Sequence, residues 1–372
     1  MKIALIQDQL LTQGGSERVF LYMAEEFKEA DLYTLCYNPE TTWPEFKRLK
    51  IKTHWLNRLI QSHKAFKSMF PIASRAMSRW DFSSYDLVIT SSATTAKYVR
   101  RRKAPHICYC YYPTRAIWDF DRYFGETLGV AQRIFRLLLP YFKKRDFEAA
   151  QRVDCFVAIS ESSRQAIRKF YDCGATVLFC PVDLRRLSEG TSQKKKDYFL
   201  LVSRLERWKL VDYAIDAFNT LGLPLRIVGQ GPEGARLRTL AKSNISFLGA
   251  VDDKTLVESY GEARAVVFTP ELEYGLVPIE AVAAGTPVIA LGRGGVLETM
   301  VDIDDPAGRP PTAILYPDPT AECLVRAVGR FERASFLKAD LVNHAANFGI
   351  PAFQSRLRGI VDEYLSSHHQ GT

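Results

Sequence analysis

A chain of 372 residues is too long for one ordinary hydrophobic core and comfortable for two. With 47% hydrophobic and 25% charged residues, no low-complexity tract and no apolar run of bilayer length, it reads as a soluble globular protein, which excludes the fibrous, disordered and membrane-spanning classes. The net charge of +8 is unevenly placed: residues 1–180 hold 28 Lys and Arg against 18 Asp and Glu, a balance of +10, and the remainder 22 against 24, or −2.

The first element, Met1-Lys2-Ile3-Ala4-Leu5-Ile6, is a strand. It lacks the long apolar core and cleavage site of a signal peptide, so a cytoplasmic location is expected. The strand runs into Asp8 and then Gln13-Gly14-Gly15-Ser16-Glu17-Arg18, followed by a helical stretch, Val19 to Phe27. Strand, glycine loop and helix in this order make either a backbone nest for an anion or a plain tight turn. Residues 51–103 carry 11 basic and 2 acidic residues. Between 51 and 80, Trp55, Leu59, Phe66 and Phe70 interleave with Arg58, Lys64, Lys67 and Arg75, and Val130 to Phe147 repeats the pattern. Each such segment is either a solvated face packed on a core or a surface for anionic lipid. Their joint presence in one half points to peripheral contact with the inner face of a membrane through residues 51–147.

Leu87 to Ser92 and His106 to Cys110 are further buried strands, and the exit loop of the second begins at Tyr111. In a parallel sheet the carboxyl-end loops form the ligand crevice, which makes Tyr111 a candidate. Cys155 to Ser162 is a strand with a cap-rich helix start. The seven cysteines are odd in number and lack zinc spacing, so they are read as reduced and structural, with no metal site. Composition shifts across Ser188 to Lys196. The expected organisation is therefore a first domain over 1–182, a linker over 183–197 and a second domain that opens at Tyr198.

After the strand Tyr198 to Val202 comes Ser203-Arg204-Leu205-Glu206-Arg207-Trp208-Lys209. Arg204 and Lys209 sit at a strand exit, where two cations can straddle a diphosphate. Gly229-x-Gly231-x-x-Gly234, with Asp252 and Asp253 downstream, matches a dinucleotide fingerprint and opens the alternative of an NAD(P)-dependent oxidoreductase. The basic first half opens another, a non-enzymatic nucleic-acid binder, but no aromatic sheet signature accompanies it. Asn244 to Gly249 forms the next strand and loop, with backbone around Leu248 placed to meet a nucleotide base.

The passage from Val267 to Ala290 reads as strand, polar loop, short helix, turn and strand, a parallel βαβ unit. Pro278 suits the first helical turn, and Gly285 with Pro287 stops the helix. N–H groups around Leu276 and Val277 at the helix mouth would favour a phosphate. Gly275 would let the chain approach a ligand closely. Glu280, assigned to the same first turn, either accepts hydrogen bonds from a vicinal diol such as a ribose or complements the helix dipole. Gly292-Arg293-Gly294-Gly295 is a flexible loop, and the last helix, about Phe353 to Ser366, follows Pro351.

The stretch from Thr269 to Gly285 resembles the signature of retaining glycosyltransferases of family 4, group 1, in which a Glu is followed after seven residues by a second Glu. Glu280 matches the second; the first falls on Leu272, flanked by Glu271 and Glu273, which stand as competing candidates. The pair Arg204 and Lys209 and the loop Gly14-Gly15-Ser16 resemble further parts of the family pattern, while Tyr111 stands where many members carry His. The resemblance implies a GT-B architecture: two facing Rossmann-like α/β domains with parallel sheets across an interdomain cleft, the C-terminal helix 349–372 joining the first domain and the donor domain covering 198–348. It implies transfer of a hexose from a nucleotide-sugar, UDP-glucose first and GDP-mannose second, to a saccharide acceptor on a lipid in surface or exopolysaccharide synthesis. The configuration would be retained, with no cofactor, metal or nucleic acid required. Arg204, Lys209, Glu273 and Tyr111 would then serve catalysis. Gly14, Gly15, Ser16, Gly229, Leu248, Glu271, Tyr274, Gly275, Leu276, Val277 and Glu280 would bind the donor.

Overall fold

The computed structural model describes residues 1–125, 129–189 and 194–369. Parts of three expectations lie outside them: 126–128 of the basic segment, 190–193 of the linker and 370–372 of the last helix. The chain divides into two compact units, Met1–Phe179 with Phe353–Thr372, and Cys180–Ala352.

The first unit holds strands β1 (Ile3–Gln7), β2 (Asp31–Thr34), β3 (Ile51–Thr53), β4 (Leu87–Ser92), β5 (His106–Cys110), β6 (Cys155–Ala158) and β7 (Ala175–Val177). They form a parallel sheet in the order β3-β2-β1-β4-β5-β6-β7. The central strands β1, β4 and β5 are buried throughout, which is why they read as continuous apolar runs rather than alternating ones. Helices α1 (Gly15–Glu26), α2 (His63–Ser68), α3 (Phe70–Met77), α4 (Arg115–Trp118), α5 (Phe120–Phe124), α6 (Val130–Leu137), α7 (Leu139–Ala150) and α8 (Glu161–Tyr171) connect them. The run from 130 to 147 is thus two helices: Pro140 sits in the first turn of α7, where a missing N–H costs nothing, and the chain breaks at Leu138. α8 begins where Ser160 accepts the Ser163 N–H at 3.1 Å, an N-cap legible in the sequence.

The second unit holds β8 (Phe199–Val202), β9 (Leu225–Val228), β10 (Ile245–Gly249), β11 (Val266–Phe268), β12 (Val288–Leu291) and β13 (Ala313–Tyr316), again all parallel, in the order β10-β9-β8-β11-β12-β13. Its helices are α9 (Leu184–Glu189), α10 (Val211–Leu221), α11 (Gly234–Leu240), α12 (Asp253–Glu262), α13 (Leu276–Ala283), α14 (Val296–Thr299), α15 (Ala321–Phe331) and α16 (Lys338–Ala345). The core packs Phe199, Leu201, Phe218, Ile227, Ile289 and Leu324 between sheet and helices. The stretch expected as a linker carries α9, so its described part is an ordered element of this unit.

The final helix, α17 (Ile350–His369), takes Pro351 into its first turn instead of starting after it, and from Phe353 it belongs to the first unit. In both sheets the chain starts in the middle, builds outward one way and then returns to build the other way. That reversal places a switch point between β1 and β4 in one unit and between β8 and β11 in the other.

Candidate functional site

In open parallel sheets the crevice at such a switch point lies outside the carboxyl ends of the strands. In the second unit it is bounded by the loops after β8 and β11. The two are joined directly, for Thr269 Oγ1 donates to the Lys209 carbonyl at 2.7 Å and the buried Tyr213 hydroxyl donates to the Thr269 carbonyl at 2.9 Å. The first loop carries Arg204, which is exposed and paired with Glu206 at 3.2 Å. It also carries Lys209, whose ammonium lies 4.0 Å from the centre of the Trp208 ring, an exposed aromatic whose indole N–H donates to Glu206. Lys209 is followed by Leu210 in the left-handed region at φ 54°, a conformation uncommon for a residue with a branched side chain, which turns the chain sharply into α10.

Gly229 and Leu248 close the same edge. Gly229 at the exit of β9 donates its N–H to the Gly249 carbonyl at 2.7 Å, beside the exposed Leu248. Gly229 has φ 131°, and a Cβ there would stand 1.9 Å from the Ser203 carbonyl oxygen; at Gly231 it would stand 2.4 Å from that of Leu205. The dinucleotide-like spacing therefore has a structural cause. Gly229 and Gly231 make room for the backbone of the loop that bears Arg204.

The second loop runs through Glu271, Glu273 and Tyr274 to the mouth of α13. Glu273 is buried and Glu271 half-buried. The Leu272 carbonyl accepts from Gly295 N–H at 2.7 Å, and a Cβ at Gly294 would stand 2.2 Å from that carbonyl oxygen. The glycine-rich stretch 292–295, expected as a flexible loop, is instead the close-fitting partner of the 272–274 backbone. The Tyr274 hydroxyl donates to the Cys180 carbonyl at 2.7 Å, and burial pushes its pKa well up. Gly275 is the N-cap of α13 and supplies no side chain to it. The space beside Gly275 is bounded by the Phe268 ring, 3.0 Å from where a Cβ would sit, and by Pro278 at 3.2 Å, so a side chain here would have to displace the chain's own packing. Leu276 and Val277, both half-buried, form the open first turn.

Glu280 departs from expectation. The first turn of α13 holds no acidic residue; Glu280 lies one turn further in, where its carboxylate accepts from Arg186 at 2.8 Å and from the Tyr260 hydroxyl at 2.9 Å. Burial, reinforced by this carboxylate, holds the Tyr260 phenol protonated. Arg186 comes from α9 and also pairs with Asp253. Each carboxylate oxygen keeps a second lone pair, so a diol donor remains compatible with these partners.

In the first unit the switch point lies between the loops after β1 and β4. Asp8 joins them: its two oxygens accept the backbone N–H groups of Ala93, Thr94, Thr95 and Ala96 at 2.5–2.8 Å. Tyr111, at the exit of β5, exchanges a hydrogen bond with Ser91 Oγ at 3.0 Å and donates to the Ser16 carbonyl at 3.1 Å, so Tyr111 and the Gly14-Gly15-Ser16 loop do meet. At the mouth of α1, however, the chain supplies its own anion. Glu17 accepts from Ser16 Oγ at 2.8 Å, Thr12 Oγ1 at 2.7 Å and Gln9 at 2.9 Å, and a Cβ on Gly14 would clash with it. Burial raises the Glu17 pKa despite these donors.

Behind these loops lies a cluster that the sequence reading missed. Lys97 and Asp146, both fully buried, pair at 2.9 Å. Asp146 also accepts from Tyr98, Tyr171 and Trp118, each at 2.6 Å, and from Thr114 Oγ1 at 3.1 Å, while Lys97 donates to the Thr94 carbonyl at 2.7 Å. The loops after β4 and β5 are thereby tied to one buried ion pair. A lysine and an aspartate 49 positions apart in otherwise charged segments carry no local signal of pairing. Asp8, directly after a fully buried strand, did carry one.

Residues 13–186 match the model of Glycosyltransferase Family 4, and residues 186–365 that of Glycosyl transferases group 1. The chain is 22% identical over 351 residues to Alpha-1,3/1,6-mannosyltransferase ALG2 of Dictyostelium discoideum, covering 78% of this chain and 81% of the relative. It is 28% identical over 158 residues to the O-antigen chain mannosyltransferase C of Escherichia coli, covering 38% and 43%. In fold it is similar to HepE of Anabaena, solved in complex with UDP, with a TM-score of 0.68 at 16% identity over 98% of this chain and 100% of the other. With two parallel-sheet Rossmann-like units and both halves matched in order, the chain belongs to the family 4, group 1 glycosyltransferases of GT-B fold, enzymes that act on nucleotide sugars.

Proposed function

We propose that the chain transfers a mannosyl residue from GDP-mannose to a saccharide acceptor carried on a lipid, with retention of configuration and without a metal. The observation that carries this reading is the join between the loops after β8 and β11. Thr269 bound to the Lys209 carbonyl sets Arg204, Lys209 and the mouth of α13 around one switch point. A diphosphate there meets two cations and the first-turn N–H groups of a helix. Catalysis then consists of stabilising the charge that develops on the departing nucleoside diphosphate with groups already in place. That diphosphate takes the proton of the incoming hydroxyl on the face it leaves, which retains the configuration. Because side chains neutralise the leaving group, a metal has no necessary part. Glu280 accepts from the ribose, and Glu273 or Glu271 contacts the sugar.

The two sequence relatives are mannosyltransferases, which favours mannose over glucose and reverses the order drawn from the sequence alone. UDP-glucose remains the second donor to test. Incubation with each nucleotide-sugar, with release of GDP or UDP measured in the presence and absence of EDTA, decides both points. GDP release from GDP-mannose that EDTA leaves unchanged is the expected result. Lys209→Ala is expected to lower turnover by about 10²–10³ with the unfolding midpoint kept. Near-normal turnover in Lys209→Ala and in Arg204→Ala would overturn the assignment.

A further inference from the structure

One feature of the first unit is not used by the proposed transfer. Between the 3-10 turn Trp55–Arg58, α3 and the first two turns of α7 lies a groove of about 740 Å³. Its apolar lining includes Trp55, Ile72, Leu138 and Tyr141, all exposed. Three guanidinium groups, those of Arg75, Arg79 and Arg145, line the same groove, and among the described residues none of them pairs with a carboxylate. Three like charges beside apolar surface, none of them matched by a carboxylate, make a local positive potential that favours an anion there.

The apolar surface continues beyond the groove. α6 buries none of its residues, and Val130, Ile134 and Leu137 stand exposed at helical spacing on it, leading directly into Leu138. Leu137 is 81% exposed and Val130 74%, values an isolated soluble helix has no reason to hold on one stripe. The turn Trp55–Arg58 follows the carboxyl end of β3. α7 starts on that same side, since it must run back to the amino end of β6. The lip of the groove therefore shares its side of the sheet with the loops that carry Tyr111 and Asp8.

We infer that this groove takes the phosphate head group and adjoining chain of an anionic lipid, seating the first unit on a bilayer with the α6 stripe inserted at the interface. Charge complementarity selects the occupant. A neutral apolar partner would leave the guanidinium groups unmatched, and a purely ionic one would leave Trp55, Ile72 and Leu138 in water. The inference rests on the proposed lipid-linked acceptor for its purpose only; it is measured with no sugar donor or acceptor present.

The full chain is sedimented with vesicles of phosphatidylcholine alone and of phosphatidylcholine with phosphatidylglycerol. Retention on the anionic vesicles and not on the neutral ones is expected. In the variant Arg75→Gln/Arg79→Gln/Arg145→Gln the partition coefficient should fall roughly fivefold per guanidinium, about a hundredfold in all. Lys28→Gln/Arg48→Gln/Lys103→Gln removes the same charge from exposed positions elsewhere in the unit and should change it by no more than about a third as many decades. Leu138→Gln, a single exposed position, should weaken retention without altering the unfolding midpoint. Equal losses in the two triple variants would overturn the groove. Release of the wild-type protein by inorganic pyrophosphate at matched ionic strength would assign the site to a free phosphate instead and overturn the lipid. Nucleotide-sugar turnover is unaffected by either failure, so the two readings fall separately.

Discussion

Gly229 shows how a single position serves the proposed site through the backbone it lets approach. Its φ of 131° and the 1.9 Å approach of the Ser203 carbonyl to a hypothetical Cβ leave no room for any other residue. Gly229→Ala should cost about 1–3 kcal/mol from the backbone alone and push the loop of Arg204 outward. Urea unfolding and kcat measured together should therefore both fall, whereas a purely local defect would move stability and spare turnover. Lys97 is the counterpart in the first unit. The burial of its ammonium opposes its charge, but Asp146 outweighs that and raises its pKa. Asp146 is held ionised against its own burial by Lys97 and by the Tyr171 and Tyr98 hydroxyls. Lys97→Met should destabilise the protein by about 3–5 kcal/mol, because it strands a buried carboxylate. Adding Asp146→Asn should recover part of that loss, and a double variant no better than the single one would show that the pair is not what the cluster depends on.

Among the elements, α17 has the largest consequence for its size. Phe353, Leu357, Ile360 and Val361 are buried along it, and Phe353 meets the Tyr109 ring edge-on at 5.6 Å. Arg358 reaches Glu26 at 2.9 Å and Glu29 at 3.1 Å at the end of α1. Four buried apolar side chains at about 1.5–3 kcal/mol each amount to the stability of a small domain. A chain ending at Ala352 should therefore lose protease resistance across residues 1–179 while Cys180–Ala352 persists as a protected fragment; simultaneous digestion of both would contradict the division. This helix was legible because its apolar positions recur at helical spacing next to a proline, and the buried strands were legible as short apolar runs ended by Gly, Pro or small polar residues. Arg204 and Lys209 could be placed for the same reason, since a strand exit is a local feature. The partners of Glu280 could not. Arg186 lies 94 positions away and Tyr260 20, and only the packed fold brings them together. Gly229, Gly231, Gly294 and Gly295 all leave room for the chain's own backbone, which a sequence does not distinguish from a dinucleotide fingerprint at 229–234 or from a flexible loop at 292–295.

At the scale of the whole molecule, acid should act first on the unit that carries the excess positive charge, and His106 supplies the reason. It sits fully buried at the start of β5. One ring nitrogen shares a hydrogen bond with Thr90 Oγ1 at 2.9 Å, and Nδ1 is buried with no partner among the described residues. Burial, aided by Arg101 and Arg152, pushes its pKa down to about 3 from the ordinary 6.5. The unfolded chain therefore binds this proton more tightly than the native one. The stability contributed is full above pH 6.5 and drains away as pH falls from 6.5 toward 3, at roughly 1 kcal/mol per pH unit. His54, lowered by burial, acts in the same direction, and Glu17, raised by burial, acts against it. The comparison of wild type with His106→Gln cancels both. Unfolding by urea between pH 7 and 5, followed by tryptophan fluorescence, reports chiefly on the first unit, which holds Trp43, Trp55, Trp80 and Trp118 while Trp208 alone lies in the second. Wild-type protein should lose about 1–2 kcal/mol over that range relative to the variant. Parallel pH profiles for the two proteins would show that the imidazole is charged in the native state, and that the buried end of β5 is open to water.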